Sequence, residues 1–224
     1  MAQSHTHVHS YILLDRTGSM SPIWDEALGS VNAYAADIAK GEGDIVPKLT
    51  LAVFDAHDGL QFDVLRRSIS AENWTDLTSE EASPRGMTPL FDAIARMVAL
   101  AEQDNPEKAV LVIMTDGAEN ASREVTRDGV KAALARIEKR DWEVIFLGAE
   151  FASFADADAV GIAAGKSMAI GAGRMRASMS SLARKAQEYY SQPGVEMSFD
   201  EADREAAGEA DVRKRKGTPP NMNR

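Results

Sequence analysis

Short apolar runs of strand length alternate along the chain with longer segments of helical periodicity, and this alternation restricts the fold more than any other feature. The most apolar runs cover residues 8–14, 109–115 and 143–147. Nearly unbroken apolar runs are typical of strands buried on both faces, and a helix between consecutive strands makes them parallel. The sequence therefore predicts an α/β fold with a mostly parallel sheet and helices on both faces.

The segment after the first predicted helix indicates an antiparallel edge. Residues 48–55 and 60–65 are strand-like, and the four residues between them are too few for a parallel crossover. We therefore expect one antiparallel edge strand. In the next helix, Thr88 is predicted to be the N-cap and Pro89 the first helical residue. Asp92 is expected to complement the positive end of that helix rather than to contact a ligand.

The chain is predicted to contain one domain with a polar segment at each end. Residues 1–7 are expected to form a polar N-terminal extension, and residues 8–191 the α/β domain. Residues 192–224 are polar and carry a basic cluster at 213–216, so they predict a disordered, charged tail. Four basic charges on an acidic protein are expected to be solvated.

Three histidines, His5, His7 and His9, occupy alternate positions near the start of the chain. On a strand their side chains would share one face and could bind a transition metal. Such a string is more often a solvated chain end, and this second interpretation is the one we expect here.

Composition and charge exclude several classes of protein. The 224 residues carry a formal net charge of −10, and an acidic surface repels a phosphate backbone, so we expect no nucleic-acid partner. No apolar run approaches the roughly 20 residues of a membrane-spanning helix, and we expect neither a signal peptide nor a membrane partner. The absence of cysteine excludes disulfides and thiolate metal sites and favours the cytoplasm. A monomer is the default expectation.

Polar side chains follow two of the predicted central strands. Asp15, Thr17 and Ser19 alternate in the loop after the first strand, and Asp116 follows the second. In an open parallel sheet, ligands bind beyond the carboxyl ends of the strands, where the Thr88 hydroxyl could join them. Two carboxylates and three hydroxyls provide only oxygen, which suits hard cations such as Mg²⁺, Mn²⁺ or Ca²⁺. The candidate metal ligands are therefore Asp15, Thr17, Ser19, Thr88 and Asp116.

These five residues resemble the metal-ion-dependent adhesion site (MIDAS) of von Willebrand factor type A (VWA) domains. That pattern is Asp-x-Ser-x-Ser after the first strand, a threonine in a mid-domain loop and an aspartate after the fourth strand. The flanking residues 86–94 and 115–117 are similar to those of bacterial and phage members. Thr17 departs from the pattern, because serine is commoner at its position.

The resemblance implies a Rossmann-like VWA fold, which is a doubly wound, mostly parallel sheet of about six strands with one antiparallel edge strand and helices on both faces. It also implies a non-enzymatic, metal-dependent protein-binding domain. Mg²⁺, or alternatively Mn²⁺ or Ca²⁺, would be held directly by the hydroxyls and partly through water by the aspartates. An unidentified partner protein would complete the coordination shell with an Asp or Glu.

Two alternatives are also open at this stage. The loop from Asp15 to Ser19 resembles that of haloacid-dehalogenase-type phosphotransferases, in which Asp15 would be the nucleophile beside Mg²⁺. The other alternative is an interaction scaffold that binds no metal, with Asp15 and Ser19 only shaping a turn.

Overall fold

Six strands form one sheet in the computed structural model, which describes residues 7–41, 45–149 and 154–217. The strands are β1 (Val8–Asp15), β2 (Lys48–Ala56), β3 (Leu60–Ser70), β4 (Lys108–Thr115), β5 (Glu143–Ala149) and β6 (Ser167–Ile170). The helices are α1 (Trp24–Ile38), α2 (Leu90–Asp104), α3 (Arg127–Glu138), α4 (Phe154–Ala159), α5 (Met175–Ser191), α6 (Glu201–Ala206) and α7 (Glu209–Gly217).

The order of the strands across the sheet is β3-β2-β1-β4-β5-β6. Every neighbouring pair is parallel except β2 and β3, which are antiparallel and place β3 at one edge. The predicted fold class, a doubly wound and mostly parallel sheet with one antiparallel edge strand, is confirmed.

Two hydrophobic layers cover the two faces of the sheet. Successive strand residues point to opposite faces, so Ile12 and Leu14 of β1 pack in the layer that contains α1 and α5. Tyr11 and Leu13 pack in the layer that contains α2 and α3. Both faces of β1 are therefore buried, which explains its mostly apolar sequence. None of the described helices has the length and apolar character needed to cross a bilayer.

Two predicted boundaries are displaced. Pro22 does not open the first α-helix but lies inside a 3-10 turn, Gly18–Ile23, and α1 begins at Trp24. β3 does not end near residue 65 but continues to Ser70. The later half of β3 is half-exposed and rich in arginine and serine, so its sequence lacks the apolar character by which strands are recognised.

The prediction of a disordered tail is wrong for residues 192–217. Met197, Phe199 and Val212 are buried, and α6 and α7 belong to this segment. Val195, Met197 and Phe199 alternate with polar residues, a period-2 pattern typical of a half-buried extended segment, which the prediction of disorder overlooks. Val212 stands alone among charged residues and gives no such pattern. Residues 218–224, which complete the predicted tail, lie outside the described part of the chain.

The tail covers the edge strand β6. The Glu209 carboxylate accepts a hydrogen bond of 3.1 Å from the backbone N–H of Ala169, and Arg204 donates to the carbonyl oxygen of Ser167. Arg204 and Glu209 also form an ion pair with an N–O distance of 2.9 Å. Covering an edge strand in this way satisfies backbone groups that would otherwise be free to pair with another chain.

His9 is a core residue and not part of a solvated chain end. Its Nε2 lies 2.8 Å from the Thr50 hydroxyl, and its ring stacks on that of Tyr11 with a centroid distance of 4.0 Å. Burial lowers the pKa of His9 to about 3, so the ring is neutral. His5, with the rest of residues 1–6, lies outside the described part. Among described residues, no three His, Asp or Glu side chains form a metal-binding group.

Truncating Met197 tests whether the tail is part of the folded unit. Met197 is 1% exposed, so Met197→Ala should lower the free energy of unfolding by about 2–5 kcal/mol in urea denaturation. Its exposed neighbour provides the control, because Ser198→Ala should change that energy by less than about 0.5 kcal/mol. Equal unfolding curves for the two variants would contradict the observed packing.

Candidate metal centre at the carboxyl edge of the sheet

The two central strands β1 and β4 end side by side at the same edge of the sheet. Asp15 is the last residue of β1, and Asp116 directly follows β4. The chain leaves β1 towards α1 on one face and leaves β4 towards α3 on the other. This divergence is the topological switch point at which open α/β sheets form their ligand sites.

Hydrogen bonds connect all five predicted ligands in one cluster. Ser19 donates to Asp116 Oδ1 at 2.8 Å, and the hydroxyl oxygens of Ser19 and Thr17 are 3.2 Å apart. The Thr88 hydroxyl lies 3.4 Å from that of Thr17. Asp15 Oδ1 accepts the backbone N–H of Thr17 at 2.7 Å. Residues as far apart in the sequence as Asp15 and Asp116 thus belong to one hydrogen-bonded cluster.

Thr88 reaches the cluster from a loop that is held on one side by the loop after β4 and on the other by the end of β2. Asn120 accepts the backbone N–H of Thr88 at 2.9 Å and donates its own backbone N–H to the Thr88 carbonyl oxygen at 3.1 Å. On the other side, Met87 and Ala56 form an isolated antiparallel bridge. The prediction of Thr88 as an N-cap is wrong, since α2 begins at Leu90 and the Thr88 hydroxyl points to the cluster instead.

Side chains from the loop after β4 cap α2 in place of Thr88. Glu119 accepts the backbone N–H of Phe91 at 2.9 Å, and Ser122 accepts that of Asp92 at 3.1 Å. The buried Asp92 carboxylate in turn accepts three backbone N–H groups, those of residues 123–125. Asn120, Glu119 and Asp92 thus fix the loop that follows Asp116 to the loop that carries Thr88. Sequence analysis missed Asn120 and Glu119, although both closely follow a predicted ligand.

The cluster concentrates negative charge. Burial raises the pKa of Asp15 to about 6, and the hydrogen bonds that Asp15 accepts oppose the shift only in part. Burial also raises the pKa of Asp116. The adjacent guanidinium of Arg16 does not neutralise them, because it is paired with Asp55 and Asp63 at 2.6 Å each. Two carboxyl groups are therefore desolvated in a cluster whose other members are neutral hydroxyls.

Comparison with known proteins gives matches at the level of structure. No protein family model matches the chain, and no curated protein sequence matches it either. Among solved structures, the vWF domain of the type V pili tip protein Mfa5 from Porphyromonas gingivalis superposes with a TM-score of 0.60 at 9% identity. The match covers 85% of this chain and 98% of that domain. The fold is that of a von Willebrand factor type A domain.

Two further structures support the VWA fold. The SpRpn10 VWA domain matches with a TM-score of 0.55 at 11% identity, covering 77% of this chain and 93% of that one. The PilB minor pilin from Streptococcus sanguinis matches with a TM-score of 0.58 at 13% identity, covering 86% of this chain. The chain spans 65% of the length of PilB. At such identities the likeness concerns the VWA backbone, and the chemistry of the site must be argued from this chain's own residues.

Gly86 tests how tightly the loop that carries Thr88 is packed. Gly86 has a φ of +69°, and an added Cβ would lie 2.4 Å from the Ala56 carbonyl oxygen. Gly194 has a φ of +75° with open space around it, so it is a matched control for backbone strain alone. Gly86→Ala should lower the free energy of unfolding by about 1–3 kcal/mol more than Gly194→Ala. Equal losses in chemical denaturation would show that the loop is not held against β2.

Proposed function

We propose that this VWA domain binds one divalent cation and uses it to hold an acidic residue of a partner protein. The ligands would be Asp15, Thr17, Ser19, Thr88 and Asp116. The observation that carries the proposal is the convergence of two desolvated carboxyl groups and three hydroxyls in one hydrogen-bonded cluster. A cation would offset the charge that burial makes unfavourable.

The donor set fits a hard cation. All five side chains provide oxygen, which suits Mg²⁺, with Mn²⁺ or Ca²⁺ as substitutes, and does not suit Zn²⁺. Formally, the two carboxylates balance the charge of a divalent ion. If the three neutral hydroxyls bind the ion directly and the aspartates act partly through water, the charge at an open coordination position is only partly screened, and it attracts a carboxylate from outside.

The cluster is open to solvent on one side only. Asp15, Thr17, Thr88 and Asp116 are each at most 4% exposed, whereas Gly18 and Ser19 are exposed. Met87, beside Thr88, is 55% exposed. A partner would therefore approach over Ser19 and Met87, where the loops from β1 and to α2 reach the surface.

The geometry gives no support to the phosphotransferase alternative. Asp15 is 0% exposed, and its Oδ2 accepts the Thr115 hydroxyl at 2.5 Å while its Oδ1 accepts the Thr17 N–H. A nucleophilic carboxylate needs one oxygen in reach of the substrate. We propose a non-enzymatic binding domain in which Asp15 is a structural anchor of the ion. The cytoplasmic location and the protein partner remain predictions of the sequence.

Metal binding should stabilise the wild-type protein and not a variant that lacks the Asp15 charge. Mg²⁺ at about 100 times its Kd should add about 2.7 kcal/mol to the free energy of unfolding, because only the folded state assembles the ligands. Asp15→Asn preserves the shape of the side chain and should abolish this gain. Thermal unfolding with Mg²⁺ or with a chelator measures both.

Asp58 provides a control for the loss of one carboxylate. It is exposed in the turn between β2 and β3 and has a φ of +58°, a conformation that asparagine tolerates. Asp58→Asn should therefore keep the full response to Mg²⁺. An equal Mg²⁺-induced shift of the melting temperature in wild type and Asp15→Asn would contradict the proposed metal site.

Partner binding should depend on both the ion and the Thr88 hydroxyl. Proteins retained by the immobilised wild type in Mg²⁺ should be released by a chelator, and Thr88→Ala should fail to retain them. Thr75 is exposed in the loop after β3, so Thr75→Ala should behave like wild type. Retention that is unchanged by chelator and by Thr88→Ala would show that binding does not use this site.

A further inference from the structure

Arg16 occupies an unusual place for a cation, since it lies between the predicted ligands Asp15 and Thr17. Its side chain is 5% exposed, so it is not directed to solvent. Its backbone N–H donates to the carbonyl oxygen of Phe54 at 3.0 Å, which extends the pairing of β1 with β2 by one residue. Because consecutive residues of an extended chain point to opposite sides, Arg16 is directed away from the side to which Asp15 points.

The Asp55 carboxylate at the end of β2 receives Arg16. Asp55 is 0% exposed, and its Oδ1 accepts Arg16 Nε at 2.6 Å. Another guanidinium nitrogen of Arg16 reaches Asp63 Oδ2 on β3, also at 2.6 Å. The positive charge of Arg16 is thus compensated by two carboxylates that are not among the predicted ligands.

The same buried carboxylate also holds the loop that carries Thr88. Asp55 Oδ2 accepts Arg85 Nε at 3.1 Å, and the Arg85 backbone N–H donates to the Arg16 carbonyl oxygen at 2.8 Å. Gly18 donates its backbone N–H to the carbonyl oxygen of Gly86 at 3.3 Å. A Cβ on Gly86 would lie 2.9 Å from Asp55 Oδ2, so the loop is in close contact with the ion pairs.

The ion pairs formed by Arg16 affect the electrostatics of the nearby loop as well as its packing. Arg16, Arg85, Asp55 and Asp63 contribute two positive and two negative charges. A buried ion pair is a weak source of net stability, but removing one partner leaves an uncompensated charge. Without Asp55, the single carboxylate of Asp63 would face the guanidinium groups of Arg16 and Arg85, which leaves one positive charge in excess. We expect the buried Arg16 to bear it, because Arg85 is half exposed. A guanidinium freed from Asp55, one residue from Asp15 in the chain, would compete with a cation for the acidic groups of the site.

We propose that Arg16 and Asp55 are positioning residues for the metal site. Their ion pair fixes the spacing between the loop from Asp15 to Ser19 and the loop that carries Thr88, and it keeps the Arg16 charge away from Asp15 and Asp116. This inference rests on the proposed metal binding. Residues that orient metal ligands from outside the coordination shell typically alter metal affinity by about 10–100-fold when they are replaced.

The test compares Mn²⁺ affinity, measured by titration calorimetry, with the unfolding midpoint of the metal-free protein. Asp55→Asn should weaken Mn²⁺ binding by about 10–100-fold, because it releases Arg16 and loosens both loops. The double variant Arg16→Met/Asp55→Asn should bind Mn²⁺ more tightly than Asp55→Asn alone, since the competing charge is gone. A purely structural role would make the double variant no better than the single one.

Two further variants keep the test decisive if Asp55→Asn folds poorly. Arg16→Lys keeps the charge but cannot contact Asp55 and Asp63 through two separate nitrogens, so it should weaken Mn²⁺ binding. It should also change the electron paramagnetic resonance spectrum of bound Mn²⁺, which reports the symmetry of the ligands. Arg96 pairs with Glu124 on the surface at 3.5 Å, and both side chains are more than half exposed. Arg96→Met is therefore the control and should leave affinity and spectrum unchanged.

The outcomes separate this inference from the proposed function. The positioning role alone would be overturned if the wild-type protein bound Mn²⁺ and the variants had affinities within about twofold of it. This applies to Arg16→Lys, Asp55→Asn and the double variant. Wild-type protein that binds no Mn²⁺ would overturn the metal site and the positioning role together. A loss of affinity in Arg16→Lys with an unchanged metal-free unfolding midpoint would support the proposal.

Discussion

Two carboxyl groups are buried at one edge of the sheet, and most features of this edge follow from that constraint. Asp15 and Asp116 meet because β1 and β4 are adjacent, parallel and end together. Burying a carboxylate is unfavourable unless hydrogen bonds or an opposite charge compensate it. The hydroxyls of Thr115 and Ser19 provide hydrogen bonds of 2.5 and 2.8 Å, yet burial still raises the pKa of both acids. Their hydrogen bonds thus compensate the burial of the two acids only in part.

The central sheet could be predicted from the sequence because its strands are buried on both faces. β1 and β4 are nearly unbroken apolar runs, and their bounds differ from the predicted ones by one residue. The segments that prediction missed are stabilised by contacts distant in sequence. His9 lies in a stretch with the composition of a polar chain end but is buried against Tyr11, and no local pattern reveals this. Met197 does belong to a local pattern, since Val195, Met197 and Phe199 alternate with polar residues, but the charged sequence around them led to the prediction of disorder.

The convergence of the candidate site could be predicted, but the way in which its loops are held could not. The positions of Asp15 and Asp116 follow from where β1 and β4 end, which a sequence shows directly. Asn120 and Glu119 hold the neighbouring loops through backbone groups, and any residue can provide a backbone N–H. The N-cap prediction for Thr88 fails because its local sequence fits a helix cap, and only the fold shows that side chains from the loop after β4 cap α2.

An arginine among the predicted ligands is compatible with a cation site only if its charge is bound elsewhere. In this chain Asp55 meets that requirement from a neighbouring strand, and the same carboxylate reaches Arg85 in the loop next to Thr88. The VWA backbone explains why β2 lies beside β1, but a structural likeness at 9–13% identity does not specify which side chains stand at these positions. The compensation of the Arg16 charge by Asp55 is therefore a property of this sequence. It is the reason why we include the Arg16–Asp55 ion pair in the proposed metal site.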